Sequence, residues 1–404
     1  MQKKLGVLLF LLGTIISVSA QKFENLALTP PMGWNSWNTF GTDINEALVM
    51  GIADAMVHDG YRDAGYSYLV LDDGWMARER DSLGNLVPDP AKFPNGLKHL
   101  IDYVHSKGLK FGLYNCAGSK TCAGYPGSRG HEYQDARLYA SLGVDYLKYD
   151  WCNTGKINAE EAYITMRDAL FAAQHPVVFS ICEWGDNQPW NWAKDVGHLW
   201  RTTGDIAPCW NCEENHGSWS SWGVLRIVDM RKGIRKVAGP GHWNDPDMME
   251  IGNGMSTSED RAHFSLWAMM AAPLILGNDI RSATTATKEI LTNREVIAVD
   301  QDALGVQGNP FWRQEDLEIW AKPLQGGDWA ICFLNRGDTD LHLKHDWQAH
   351  PISDDISKNW ENFKSAVFQI RDLWKQQTIG STSVVLEAVV PPHDVLMLRL
   401  IKSK

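Results

Sequence analysis

The chain has 404 residues, 44% of them hydrophobic and 22% charged, a composition that fits a globular protein able to bury a large core in two or more domains. A formal charge of −11 and the lack of any basic stripe argue against nucleic acid as a partner, because phosphate binding needs clustered Lys and Arg. The 19 tryptophans are unusual, since aromatic faces stack on the C–H faces of sugars, although Trp also serves simply as core.

At the N-terminus, Lys3 and Lys4 precede an apolar run from Leu5 to Val18 that closes in small residues at Ala20. This predicts a secretory signal over residues 1–20 with cleavage near Ala20, and so an exported chain. The run is short for the roughly 20 residues a membrane helix needs, and no later stretch is apolar enough to span a bilayer. The 7 cysteines permit disulfides in an exported protein, and their odd number leaves at least one unpaired. Cys209 and Cys212 form a CxxC without a second pair, which argues against a zinc ribbon; a local disulfide and two plain thiols both fit.

From Leu28 to about Gln301, short β-like runs alternate with helical patterns. The predicted strands are Met32–Trp37, Tyr66–Asp73, Leu109–Cys116, Val144–Asp150, Val177–Trp184, His198–Asp205, His242–Met248 and Pro273–Asp279. Segments such as 44–60, 97–108, 132–143 and 159–173 carry apolar residues at spacings of three and four, and several end in Gly. Strand followed by helix, repeated, predicts a (β/α)8 TIM barrel over residues 21–306. An open doubly wound sheet is the alternative, but no GxGxxG follows the first strand. Beyond Gly308 short β runs continue without an amphipathic helix, which predicts a C-terminal antiparallel β-sandwich over residues 307–404.

Acids fall where the predicted strands end: Asp72 and Asp73, Asp150, Glu183, Asp205, and Asp245 with Asp247. One terminal acid is commonly a helix N-cap, but five strand ends of one barrel bearing acids would gather them at the mouth where barrel active sites form. Lys148 lies two residues before Asp150 and so leaves the same strand face; Arg201 stands four before Asp205. Cations and acids buried together require pairing, which fits a polar site better than a core. No metal and no cofactor are expected, because no His-x-His occurs and an all-carboxylate Mg²⁺ or Ca²⁺ site would not hold Lys and Arg beside it. No GxSxG elbow supports a serine hydrolase. Chemistry by two carboxylates, glycoside hydrolysis, remains.

These residues sit in TPPMGWNSW, LDDGW, KTCAGYPGS, YLKYDWC, CEWG, RTTGD and GHWNDPDM. In that order the motifs closely resemble α-galactosidases of glycoside hydrolase family 27. The resemblance runs from about Leu28 through VDQDALGVQG and continues faintly into the C-terminal strands. It implies a retaining mechanism with Asp150 as nucleophile and Asp205 as general acid/base. It further implies a sugar pocket built from Trp37, Asp72, Asp73, Tyr114, Lys148, Arg201 and Asp247, beside a Cys122–Cys152 disulfide. Glu183 occupies the position that contacts the 2-hydroxyl, which favours galactose over N-acetylgalactosamine; Asp73 favours galactose over β-L-arabinopyranose. Lys148 is expected to favour the charged form of Asp150, and Arg201 to face the substrate or the nucleophile rather than Asp205. An arabinopyranosidase or acetamido-sugar enzyme on the same scaffold, or a barrel that binds galactosides without cleaving them, are the other readings. The expected partner is an α-galactoside, whether oligosaccharide, glycan or glycolipid, and the chain is expected to act as monomer or homo-oligomer.

Overall fold

The computed structural model describes residues 22–230 and 233–402, so the predicted signal over residues 1–20 lies outside the described residues. Eight parallel strands form the first sheet: β1 (Met32–Asn35), β2 (Tyr68–Leu71), β3 (Lys110–Cys116), β4 (Tyr146–Asp150), β5 (Val178–Cys182), β6 (Leu199–Arg201), β9 (Trp243–Asp245) and β10 (Leu274–Leu276). A small antiparallel hairpin, β7 (Glu213–Asn215) with β8 (Ser220–Trp222), is inserted between β6 and β9. The spatial order β10-β1-β2-β3-β4-β5-β6-β9 curls the sheet into a TIM-like barrel. Its two edge strands meet beyond β9, where Met249 N–H donates to Ile275 O at 2.7 Å and Gly277 N–H donates to Met249 O at 3.0 Å.

Helices Glu46–His58, Gly96–Ser106, Glu132–Leu142 and Ala159–Ala172 form where the apolar spacing predicts them. Asn45 and Asn158 cap two of them by accepting the backbone N–H groups of Leu48 and Glu161. Two expectations need adjustment. Among the described residues, the connection from β5 to β6 holds only two 3-10 turns, Pro189–Asn191 and Ala193–Asp195, in place of a helix. The strands also end earlier than predicted: β6 stops at Arg201, and Asp205 lies on the loop beyond it.

Strand parity explains why charge collects at one end. Tyr68 and Val70 of β2, Tyr146 of β4, Val178 of β5, Leu199 of β6 and Trp243 of β9 point inward and fill the barrel floor. Their neighbours Leu69, Leu71, Leu147, Phe179, Ile181 and Trp200 point outward into the layer shared with the helices. Two residues beyond the inward set stand Asp72, Lys148, Arg201 and Asp245. A period of two therefore delivers an apolar floor and a charged rim from the same strands.

The C-terminal unit is an antiparallel sandwich. Its six-stranded sheet runs in the order Asn309–Gln314, Leu317–Pro323, Trp329–Asn335, Val395–Lys402, Phe368–Asp372 and Gln377–Ser381. Leu341–His345 pairs with Leu386–Val390 in a second, two-stranded sheet. Alternation again divides the faces. Ala330, Cys332, Leu334 and Met397 join the barrel core, while Ile331, Phe333, Leu398 and Leu400 form the sandwich's own core. Lys322 Nζ reaches across to the carbonyls of Ala268 (2.9 Å) and Val299 (2.6 Å), near the C-terminal ends of helices Thr257–Met269 and Arg294–Asp300. A cation is favoured at such ends.

Candidate active site

A cavity of about 930 Å³ opens at the C-terminal ends of the barrel strands. Trp37, Asp72, Asp73, Tyr114, Cys122, Lys148, Asp150, Cys152, Arg201, Asp205 and Asp247 all line it. Glu183 does not. β5 sends Ser180 and Cys182 inward, so Glu183 falls on the opposite phase, where it is fully buried. Its Oε2 accepts Asn187 N–H at 2.6 Å and Asn187 Nδ2–H at 2.8 Å, and burial pushes its pKa to about 7. The expected contact between Glu183 and the 2-hydroxyl is therefore corrected: Trp184 and Asp186, on the same loop, reach the cavity instead.

Asp150, the last residue of β4, is buried in the cavity wall. Its Oδ2 accepts the Tyr114 hydroxyl at 2.9 Å, and its Oδ1 accepts the Trp151 N–H at 2.8 Å. Burial raises its pKa to about 7; Lys148, Trp151 N–H and Tyr114 oppose that rise, and the charge of Asp205 adds to it. Lys148 favours the charged form of Asp150, as expected, but desolvation outweighs the ammonium. Lys148 Nζ instead donates directly to Asp72 Oδ2 at 2.8 Å, an oxygen that also accepts Asn35 Nδ2–H at 2.8 Å. Burial disfavours the charge on Lys148, but Asp72 and Asp150 hold its pKa above the ordinary lysine value. Asp73 is fixed by the N–H groups of Gly74 and Ala123, each at 2.8 Å, and burial pushes it to about 6.

Arg201 lies between two acids. Its Nη2 stands 3.0 Å from Asp205 Oδ1 and 2.9 Å from Asp247 Oδ2, and it also donates to Thr203 O at 3.1 Å. Arg201 therefore contacts Asp205, contrary to the sequence expectation: the bend at Thr202–Gly204 folds Asp205 back over the strand end. Asp247 adopts a left-handed backbone, φ +96°, unusual for a residue with a side chain. That conformation lets its carboxylate accept both Ile206 N–H (2.9 Å) and Met248 N–H (2.7 Å). Asp205 itself is the most open of the set, its side chain 39% exposed.

Cys122 and Cys152 form a disulfide, and Cys122 Sγ packs 3.4 Å from Asp150 Oδ2. The loop after β3 passes so near this bridge that a Cβ on Gly118 would lie 1.9 Å from Cys152 O. Cys209 and Cys212 form a second disulfide, while Cys116, Cys182 and Cys332 are buried free thiols. The cavity also takes in Asn38, Glu250 and the hairpin residues Glu214, His216 and Ser218–Trp222, which sequence reading did not assign. Only the quoted CEWG pointed toward Trp184; the hairpin shows no alternation that marks a strand.

An enclosed carboxylate and an open one, facing a common pocket with an aromatic wall and paired cations, define a glycoside hydrolase. Comparison with known proteins agrees with that class and narrows it. The chain belongs to the α-galactosidase (melibiase) family: residues 29–302 match the family described as alpha galactosidase A, and residues 314–400 match its C-terminal β-sandwich domain. It is similar to an alpha-galactosidase A of Cellvibrio japonicus, 59% identical over 385 residues, covering 95% of each chain. An alpha-galactosidase of Coffea arabica is 49% identical over 373 residues, covering 92% of this chain and 93% of the relative. The crystal structure of alpha-galactosidase I from Mortierella vinacea superposes with a TM-score of 0.88 at 36% identity, covering 94% of this chain and 98% of that one.

Proposed function

We propose that this chain is an exo-acting α-galactosidase that removes terminal α-linked galactose with retention, through a galactosyl ester on Asp150. One observation carries the reading: Asp150 and Asp205 share a single cavity, one enclosed and hydrogen-bonded, the other open. In the first step an Asp150 carboxylate oxygen attacks the anomeric carbon. The glycosidic C–O bond breaks as Asp205 gives its proton to the departing oxygen. In the second step Asp205 takes a proton from water, whose oxygen attacks the anomeric carbon and releases Asp150. Arg201 suits the first step, since Asp205 becomes an anion as the leaving group departs and a cation 3.0 Å away stabilises that charge as it develops. In this reading Asp72 and Asp73, which line the cavity, accept sugar hydroxyls, and a sugar lacking those hydroxyls would leave a buried carboxylate short of a partner.

Galactose at the reacting position is favoured by Asp72 and Asp73 together with family membership; with Glu183 turned away, the 2-position is read by the loop bearing Trp184 and Asp186. Proton NMR of the first-formed sugar tests retention: the α-anomer is expected, and an initial β-anomer refutes the mechanism. Replacing Asp150 with Ala should abolish turnover while galactose still binds, and near-native activity in that variant would place the nucleophile elsewhere. Nitrophenyl α-galactoside, α-N-acetylgalactosaminide and β-L-arabinopyranoside, assayed side by side, separate this reading from the other two activities. Export is also proposed, supported by the N-terminal pattern of residues 1–20 and by two disulfides. A mature protein beginning at Gln21 outside the cytoplasm is the expected observation.

A further inference from the structure

The hairpin between β6 and β9 contributes a large share of the cavity wall, yet it holds none of the groups used above. Hairpin and acid are joined through the backbone. Trp222 N–H donates to Asp205 O at 2.9 Å, and Ala207 N–H donates to Trp222 O at 2.9 Å. The Cys209–Cys212 disulfide loop clamps the next residues, with Gly223 N–H on Cys212 O (2.9 Å) and Val224 N–H on Cys209 O (3.0 Å). Gly223 is required there, because a Cβ would sit 2.8 Å from Cys209 Sγ and 2.7 Å from Cys212 N.

At the tip, Trp219 is 51% exposed although it lines the cavity. One face of its indole is stacked on His216, with ring centroids 4.0 Å apart and planes 24° off parallel. His216 is fixed in turn by its N–H on Trp219 O (2.9 Å) and by Nε2 against Ser221 Oγ (2.9 Å). The other indole face is left open and its orientation is set before any ligand arrives, so little rotamer entropy remains to be lost on binding. Glu214, Ser218 and Ser220 line the same cavity. The cavity, at about 930 Å³, is also larger than a single hexose needs.

Position supplies the direction. The group that Asp205 protonates is the glycosidic oxygen, so the departing half of the substrate lies on the Asp205 side of the cavity, where the hairpin is attached. An open aromatic face on a wall that also carries hydroxyls and a carboxylate suits a pyranose, whose C–H face stacks while its edge hydroxyls are bonded. We propose that the β7–β8 hairpin is a leaving-group subsite in which Trp219 stacks on the sugar ring next to the scissile bond, making the enzyme selective for galactosyl oligosaccharides over galactosides of apolar alcohols. The proposal rests on the assignment of Asp205 as the acid.

The test compares Trp219→Ala with wild type on raffinose and on α-galactosyl fluoride, whose leaving group is too small to reach the hairpin. The ratio of kcat/KM for raffinose over galactosyl fluoride should fall about tenfold, the scale of one aromatic contact, and Trp219→Tyr should restore most of it. Equal loss on both substrates, or no loss on either, overturns the proposal. Calorimetry keeps the subsite testable without turnover. In an Asp150→Asn background, adding Trp219→Ala should weaken raffinose binding about tenfold while free galactose binds as before. If wild type fails to hydrolyse galactosyl fluoride, the catalytic reading fails; unchanged raffinose binding in the double variant refutes the subsite itself.

Discussion

Tyr114→Phe isolates the balance that sets the charge of the proposed nucleophile. The hydroxyl donates at 2.9 Å to Asp150 Oδ2, and burial, with the nearby Asp150, keeps Tyr114 protonated well past the ordinary tyrosine range. A hydrogen bond to a charged group contributes about 1.5–3 kcal/mol, and a pH unit corresponds to about 1.4 kcal/mol. Removing this donor from an enclosed carboxylate should therefore raise the Asp150 value from about 7 by about 1–2 units. The readout is the pH profile of kcat/KM for α-galactosyl fluoride, because fluoride departs without a general acid and the acid limb then follows the nucleophile. The variant's limb should move alkaline, with activity below the limb reduced about 10- to 100-fold and the plateau much less affected. Asp205→Asn should shift the same limb the other way, since the charge of Asp205 raises Asp150. A limb that stays in place in both variants would refute the electrostatic account.

Asp150→Asn should be inactive and yet more stable at neutral pH. The folded value of about 7 lies above the ordinary aspartate value of about 4, so the folded state retains a proton that the unfolded chain has lost between those limits. The stability contributed by Asp150 therefore falls as pH rises through that window. The gain from Asn should reach a few kcal/mol above pH 7 and vanish toward about pH 4, as read by urea titration at several pH values. Arg261→Ala removes the guanidinium paired with Asp394, whose side chain is 1% exposed, and should cost about 3 kcal/mol in the same titration by leaving a buried carboxylate without its cation. Replacing Cys122 and Cys152 with Ser opens a loop with a sequence separation of 30 and should lower stability by about 3–4 kcal/mol. Activity should fall further than stability alone explains, because Cys122 packs against both Tyr114 and Asp150.

The barrel and the positions of most site residues were readable because two signals coincide in the strands. Val70, Tyr146 and Leu199 mark the inward phase, and the same phase continued by two residues reaches Asp72, Lys148 and Arg201. Glu183 shows the limit of reading acids by position alone. It stands at a strand end like Asp150 but falls out of the inward phase of Ser180 and Cys182, and Asn187 holds its carboxylate away from the cavity. The partner of Arg201 was hidden for a different reason. A four-residue separation from Asp205 suggested a continuing strand, while the bend at Thr202–Gly204 is a tertiary feature held by Thr202 N–H on Asp245 O at 2.9 Å. The burial of Asp150 is likewise a property of the assembled wall, to which a lysine two residues away gives no guide.

Several features of the cavity rim oppose folding in the same place. Asp150 is held near 7, Asp73 and Asp247 near 6, each chiefly by burial, so at neutral pH the rim carries charges that the unfolded chain would solvate freely. Asp247 adds a left-handed backbone, a conformation that costs of order 1–3 kcal/mol in a residue with a side chain. What offsets these penalties lies elsewhere in the chain. The apolar floor of Tyr68, Tyr146, Leu199 and Trp243 sits directly beneath the rim, and the outward residues of the same strands pack on the helices. The sandwich reinforces the far side, where its inner face packs on helix Thr257–Met269. Trp267 of that helix donates its indole N–H to Asp247 O at 3.0 Å. The strained aspartate is thus anchored to a helix braced by the second domain, and Arg201 is held in turn through its pair with Asp247.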